Sequence, residues 1–212
     1  QGLRNGDCDL SIAGGVNAIL SPMGHVSLSK AQALSPDGRC KTFDISADGY
    51  GRAEGCAMVI LKRLQDATDD NNTIYAIISG SAVSQDGASS GLTVPNGLAQ
   101  EALLHKAISN AGIEANQVDY IESHGTGTPL GDPIEVAAIG RVYGINRDKP
   151  LMIGSVKSNI GHTESAAGAA SLIKMVLAMQ HDRIPPNLHF NQANPQIDLR
   201  SISASVPTEV TR

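Results

Sequence analysis

From residue 98 onward, short aliphatic runs alternate with stretches of helical periodicity, and few architectures accept that order. Leu103, Leu104, Ala107, Ile108 and Ala111 share one helical face, which Gly112 closes. Asp119 to Ser123 reads as a strand. Asp132-Pro133-Ile134-Glu135 supplies an N-cap, a proline at the first helical position and an acidic third position, so a helix begins there and runs to about Tyr143. Leu151 to Gly154 reads as a further strand. Thr163 to Gln180 is a helix apolar nearly all the way round, which predicts burial in a core. Such alternation implies an α/β protein with covered sheets.

The earlier part of the chain is less regular. Gln1 to Gly6 reads as the last turn of a helix ending on Gly6, and Asp9 to Ala13 as a buried strand that ends in Gly14-Gly15. A helical stretch runs from Ser21-Pro22 to about Ala33, and Ser35-Pro36-Asp37-Gly38 is a turn. Residues 36–55 predict a long ordered loop, a type of segment that tends to be functional in compact domains. Cys56 to Leu64 and Ile74 to Val83 predict two strands. Between them Asp66 to Asn72 is the most polar stretch, which divides the chain into residues 1–67 and 73–212.

Composition excludes several functions. A net charge of −5 without a basic run argues against nucleic acid as a partner. No apolar run reaches the roughly 20 residues of a membrane span, and no signal-peptide pattern opens the chain. Cys8, Cys40 and Cys56 form no CxxC, so they read as reduced thiols and not as disulfides or zinc ligands; no metal site is expected. These readings predict a soluble, cytoplasmic protein.

Two histidines sit in marked settings. His124 follows a predicted strand and opens the Gly/Thr loop Gly125-Thr126-Gly127-Thr128-Pro129-Leu130-Gly131, in the crevice where α/β folds commonly bind ligands. His162 ends Asn159-Ile160-Gly161-His162, just before the apolar helix. The positive end of a helix disfavours a protonated imidazole, and a neutral one can donate an N–H to a developing oxyanion. Lys157 precedes His162 by five residues, and is either a surface lysine or a cation that tunes the site. The glycine clusters at 49–55 and 125–131 lack GxGxxG spacing and carry no nucleotide signal. His25, His105, His181 and His189 lack such settings.

Taken in order, these motifs resemble a ketosynthase of the thiolase superfamily, of the type I polyketide synthase kind. The resemblance rests on Cys8-Asp9-Leu10 to Gly14-Gly15-Val16-Asn17, Leu34 to Asp44, Ala47-Asp48-Gly49-Tyr50 and Gln85 to Thr93. It continues through His124-Gly125-Thr126-Gly127-Thr128, Asn159-Ile160-Gly161-His162 and Ile184-Pro185-Pro186-Asn187. It implies a thiolase-like layered α-β-α-β-α fold and a decarboxylative Claisen condensation. An acyl chain held on an active-site cysteine would be extended by a malonyl-type unit on an acyl carrier protein. His124 and His162 would then stabilise the enolate, Lys157 would be the family lysine, and Thr126 and Thr128 would bind the phosphopantetheine arm. No other cofactor is implied, and the complete domain would be a homodimer.

Departures from the family pattern set further expectations. No TACSSS-like nucleophile motif and no GFGG-type loop occurs, so the fold is expected to be incomplete and the cysteine to be supplied outside this chain, by a cysteine-bearing ketosynthase half. This chain alone is expected to be inactive, marginally stable and prone to aggregate. Stand-alone bacterial relatives pair the lysine with a glutamate on the following helix; Ser171 occupies that place here, with Glu164 a nearer candidate. Two alternatives stay open: a non-catalytic partner resembling a chain-length factor, and a decarboxylating synthase with Gln in the nucleophile position.

Overall fold

The computed structural model describes residues 1–89, 91 and 94–212. Two sheets organise it. Strands β1 (Leu10–Asn17) and β2 (Gly55–Lys62) pair antiparallel, from Leu10 opposite Lys62 to Asn17 opposite Gly55. Strands β3 (Tyr120–Glu122), β4 (Leu151–Gly154) and β5 (Ala204–Ser205) form a parallel sheet in that order. Among the described residues seven α-helices accompany them: α1 (Gly2–Asn5), α2 (Met23–Lys30), α3 (Leu64–Asp69), α4 (Gly97–Ala111), α5 (Gly131–Tyr143), α6 (Lys157–Ile160) and α7 (Ala167–His181). The fold is α/β, as the alternation predicts. None of the helices described is long and apolar enough to cross a membrane.

The core lies where α5 covers the parallel sheet. Leu151 and Ile153 of β4 are fully buried against Val136, Ile139, Val142 and Tyr143. Each buried aliphatic side chain contributes roughly 1.5–3 kcal/mol. Phe43 enters this core from the 36–55 loop, wholly buried and with φ at 66°. A bulky residue rarely adopts that conformation unless its surroundings enforce it. Here its N–H donates to Asp132 Oδ2 at 2.8 Å, and its carbonyl accepts from Asn194 N at 2.8 Å.

Several sequence expectations need correction. Strand β1 does not end at Gly14-Gly15 but runs through both to Asn17. At Gly15 a Cβ would meet the Ser165 carbonyl oxygen at 2.0 Å, so the glycine permits close approach and marks no turn. Residues 74–83 are extended yet form no strand. Among the described residues no backbone hydrogen-bond ladder pairs with them; Gly80 lies against the Ala111 backbone, and their carbonyls accept side-chain hydrogen bonds from Arg4, Asn110 and Gln180. The apolar helix is α7, and it is not buried all round: Leu177 and Met179 are exposed. It packs against β1 and β2, and its Lys174 reaches Glu122 of β3. The opposite face of that ribbon leaves Leu10, Ile12, Val16, Met58 and Ile60 exposed. In the 85–93 motif, Ser90, Leu92 and Thr93 lie outside the described residues.

Candidate active site

His124 lies two residues beyond β3, at the start of a loop that its own sequence cannot hold in place. At Gly125, with φ at 43°, a Cβ would meet Thr42, Ser123 and Ser155 within 2.8 Å. Two carboxylates from α5 fix the backbone. Glu135 accepts from His124 N at 2.6 Å and Gly125 N at 2.9 Å. Asp132 Oδ1 accepts from Gly127 N at 3.1 Å while its Oδ2 holds Phe43. The sequence suggests capping roles for both in their own helix. The helix instead starts at Gly131, and both side chains reach back to the histidine loop. Thr42 Oγ1 donates to Gly125 O at 2.6 Å, so the 36–55 loop braces the same turn.

Burial raises both acids, Glu135 to about 7 and Asp132 to about 6, although their backbone hydrogen bonds favour the ionised forms. Thr126 is nearly buried and Thr128 half-buried, with their hydroxyl oxygens 3.3 Å apart.

His162 stands between α6 and a 3-10 turn at Glu164–Ala166, five residues before α7. The helix-end argument therefore does not account for its charge state. Its backbone is bracketed by the 36–55 loop: His162 N donates to Gly51 O at 2.7 Å, and Ala53 N donates to His162 O at 2.9 Å. Glu164 N donates to His162 Nδ1 at 2.9 Å, which leaves Nε2 to carry the proton of a neutral ring. Desolvation, then Lys157, then His124 hold its pKa down to about 4. Desolvation of the ring and Lys157 likewise hold His124 down to about 4, although part of that residue is exposed. The two rings meet edge to face with centroids 5.4 Å apart, and Tyr50 packs 5.1 Å from His162.

Lys157 is no surface lysine. It is 3% exposed, and among the described residues no carboxylate lies within ion-pair distance. Burial lowers its pKa, against the fields of Glu135, Glu122, Cys40 and Asp132. Glu164 does not pair with it but with Arg52, through Nε–Oε1 at 2.5 Å and Nη2–Oε2 at 2.9 Å.

The buried ion pair of this region was missed from sequence: Lys174 on α7 binds Glu122 at the end of β3, 2.6 Å apart, with both side chains under 10% exposed. Glu122 also accepts from Val156 N at 2.5 Å and Tyr120 Oη at 2.9 Å, so it ties α7 and β3 to the turn that carries Lys157. A groove of about 420 Å³ runs along α7 past Val156, Lys174 and Leu177, and neither histidine lines it. Among the described residues no group of histidine, cysteine, aspartate and glutamate could hold a metal. The three cysteines are unpaired.

What the site presents is two neutral imidazoles beside one buried cation, on an α/β frame. Residues 1–67 match the family described as beta-ketoacyl synthase, N-terminal domain, and residues 75–191 its C-terminal domain. The ketosynthase from module 6 of the bacillaene synthase of Bacillus subtilis 168 superposes with a TM-score of 0.96 at 42% identity, over 100% of this chain and 38% of that one. The oxazolomycin ketosynthase domain KS7 of Streptomyces albus JA3453 gives 0.95 at 40% identity, over 99% of this chain and 37% of that one. One of the phenolphthiocerol/phthiocerol polyketide synthase subunits of Mycobacterium tuberculosis is 55% identical over 99% of this chain and 11% of its own length. Polyketide synthase GfsA of Streptomyces halstedii is 48% identical over 99% of this chain and 3% of its own. The chain thus spans little more than a third of the solved ketosynthases and a small fraction of the curated synthases. It belongs to the β-ketoacyl synthase family, among the ketosynthases of type I polyketide synthases.

Proposed function

We propose that this chain supplies the enolate-stabilising half of a ketosynthase that performs decarboxylative Claisen condensation. The observation that carries the reading is the histidine pair, two imidazoles held neutral 5.4 Å apart beside buried Lys157. In the reaction a malonyl thioester on a carrier protein loses its carboxylate as carbon dioxide. The bonding electrons pass into an enolate whose oxygen accepts N–H hydrogen bonds from His124 and His162. The enolate carbon attacks an acyl thioester, and a cysteine thiolate leaves as the new carbon–carbon bond forms. Neutral donors suit this chemistry, since the weakly acidic N–H of a neutral imidazole stabilises the oxyanion without surrendering its proton to it.

Thr126 and Thr128 neighbour His124 and would hydrogen-bond the phosphopantetheine arm delivered by the carrier. The nucleophile comes from a cysteine-bearing half outside residues 1–212. That half would cover the exposed face of β1 and β2, and the chain divides functionally at 67–73. Homodimerisation belongs to the complete domain, which works in the cytoplasm. A purely non-catalytic partner has no use for two desolvated histidines.

The test joins this chain to a cysteine-bearing ketosynthase half and follows condensation of acyl and malonyl carrier thioesters. Activity should appear only with both parts, and His124→Ala should reduce it by about 100- to 1,000-fold, the usual effect of losing an oxyanion donor. Condensation by this chain alone, or indifference to His124→Ala, would refute the reading.

A further inference from the structure

Glu164 occupies the left-handed region, with φ at 46°, directly beyond the residue that follows His162. A glutamate gains nothing locally from that conformation and avoids it in most settings. The conformation does place its N–H on His162 Nδ1, at 2.9 Å. Its carboxylate is gripped by both nitrogens of the Arg52 fork, across 112 residues of sequence.

Arg52 is itself held in register with the histidine. Its neighbours Gly51 and Ala53 exchange backbone hydrogen bonds with His162, which makes Arg52 and His162 bridge partners. Room for the guanidinium is left by Gly24, where a Cβ would meet Arg52 Nη1 at 2.8 Å. The guanidinium also meets His25 Nδ1, at 3.3 Å from Nη1. These observations come from α2, the 36–55 loop and the 162–164 turn, and all converge on one backbone N–H.

We propose that Arg52 is a positioning residue that clamps Glu164 in its strained conformation and thereby fixes His162 as the Nε2–H tautomer. The inference rests on the enolate-stabilising role of His162 for its importance, but not for its test. Tautomer populations can be read in this chain by ¹⁵N chemical shifts of the labelled imidazole, without nucleophile, carrier or condensation.

The parent chain should show the Nε2–H form at His162. Arg52→Gln should shift the Nε2–H to Nδ1–H ratio by about fivefold, the equilibrium value of one ordinary hydrogen bond. Glycine adopts positive φ without strain, so Glu164→Gly alone should keep the parent tautomer although it removes the ion pair. Arg52→Gln combined with Glu164→Gly should restore the parent ratio to within about twofold, for the same reason. An ion pair serving only general stability would not be rescued by deleting its second partner. An unchanged ratio in Arg52→Gln would overturn the proposal. So would loss of the Nε2–H form in Glu164→Gly, or failure of the double variant to recover it. If the tautomer responds as stated while condensation is absent from the reconstituted domain, the enzyme reading fails and the clamp stands.

Discussion

Replacing Glu135 with glutamine should stabilise the protein above neutral pH while weakening its site. The carboxyl lies beneath the His124 loop, and burial raises its pKa to about 7 from 4.5. A raised folded-state pKa means the contribution to stability is complete below 4.5 and disappears as pH rises through about 7. At about 1.4 kcal/mol per pH unit, the difference corresponds to roughly 3 kcal/mol. Glutamine has the shape of the protonated side chain and does not titrate. Parent and variant should therefore be similarly stable near pH 4.5 in urea denaturation, and the variant should lead by up to about 3 kcal/mol at pH 8.

Asp132, raised to about 6, adds a slope of its own, and its charge is also one of the causes that raise Glu135, so the difference between the two proteins reports Glu135 together with its coupling to Asp132. The variant pays at the site. One loop N–H, at His124 or Gly125, then faces an amide donor in place of a carboxylate oxygen, and condensation by the reconstituted domain should fall. Parallel loss of stability in the two proteins between pH 5 and 8 would refute the reasoning.

Other perturbations probe the same network. Lys157→Met removes the second cause of depression at both histidines, so both pKa values should rise from about 4 in an NMR titration; they should stop short of 6.5, because burial is the first cause. Lys174→Met leaves the Glu122 carboxylate buried without its cation and should cost about 3–5 kcal/mol in denaturant unfolding. The double replacement Glu122→Gln with Lys174→Met should recover part of that loss, since neither charge then remains buried.

How much of this was legible in the sequence depends on how far each interaction reaches. Strands β3 and β4 and helices α4 and α5 show in local periodicity and capping residues, and the structure places them within a residue or two of expectation. His124 and His162 stand out because glycines mark the turns that display them. The groups that make them usable act over long separations. Thr42 reaches Gly125, Arg52 reaches Glu164 and Glu122 reaches Lys174, each through a fold that no local pattern encodes.

Asp132 and Glu135 misled in a specific way. At the start of a helix an acidic residue reads as a cap, and nothing in the spacing shows that the side chain turns outward to another loop. Residues 74–83 carry a strand's side chains, but a strand also needs a hydrogen-bonded neighbour, which composition cannot supply. The apolar circumference of α7 likewise states what the helix can bury, not what lies against it.

The central claim is that His124 and His162 act together on one developing oxyanion. It is tested most directly by carbon dioxide release from a malonyl carrier thioester in the reconstituted domain, compared across the two single alanine variants and the double variant. Two donors to one oxygen act as a unit, so each single variant should lose about 100-fold or more and the double variant little beyond that. Single variants that retain near-parent rates, or losses that multiply in the double variant as for independent sites, would contradict it.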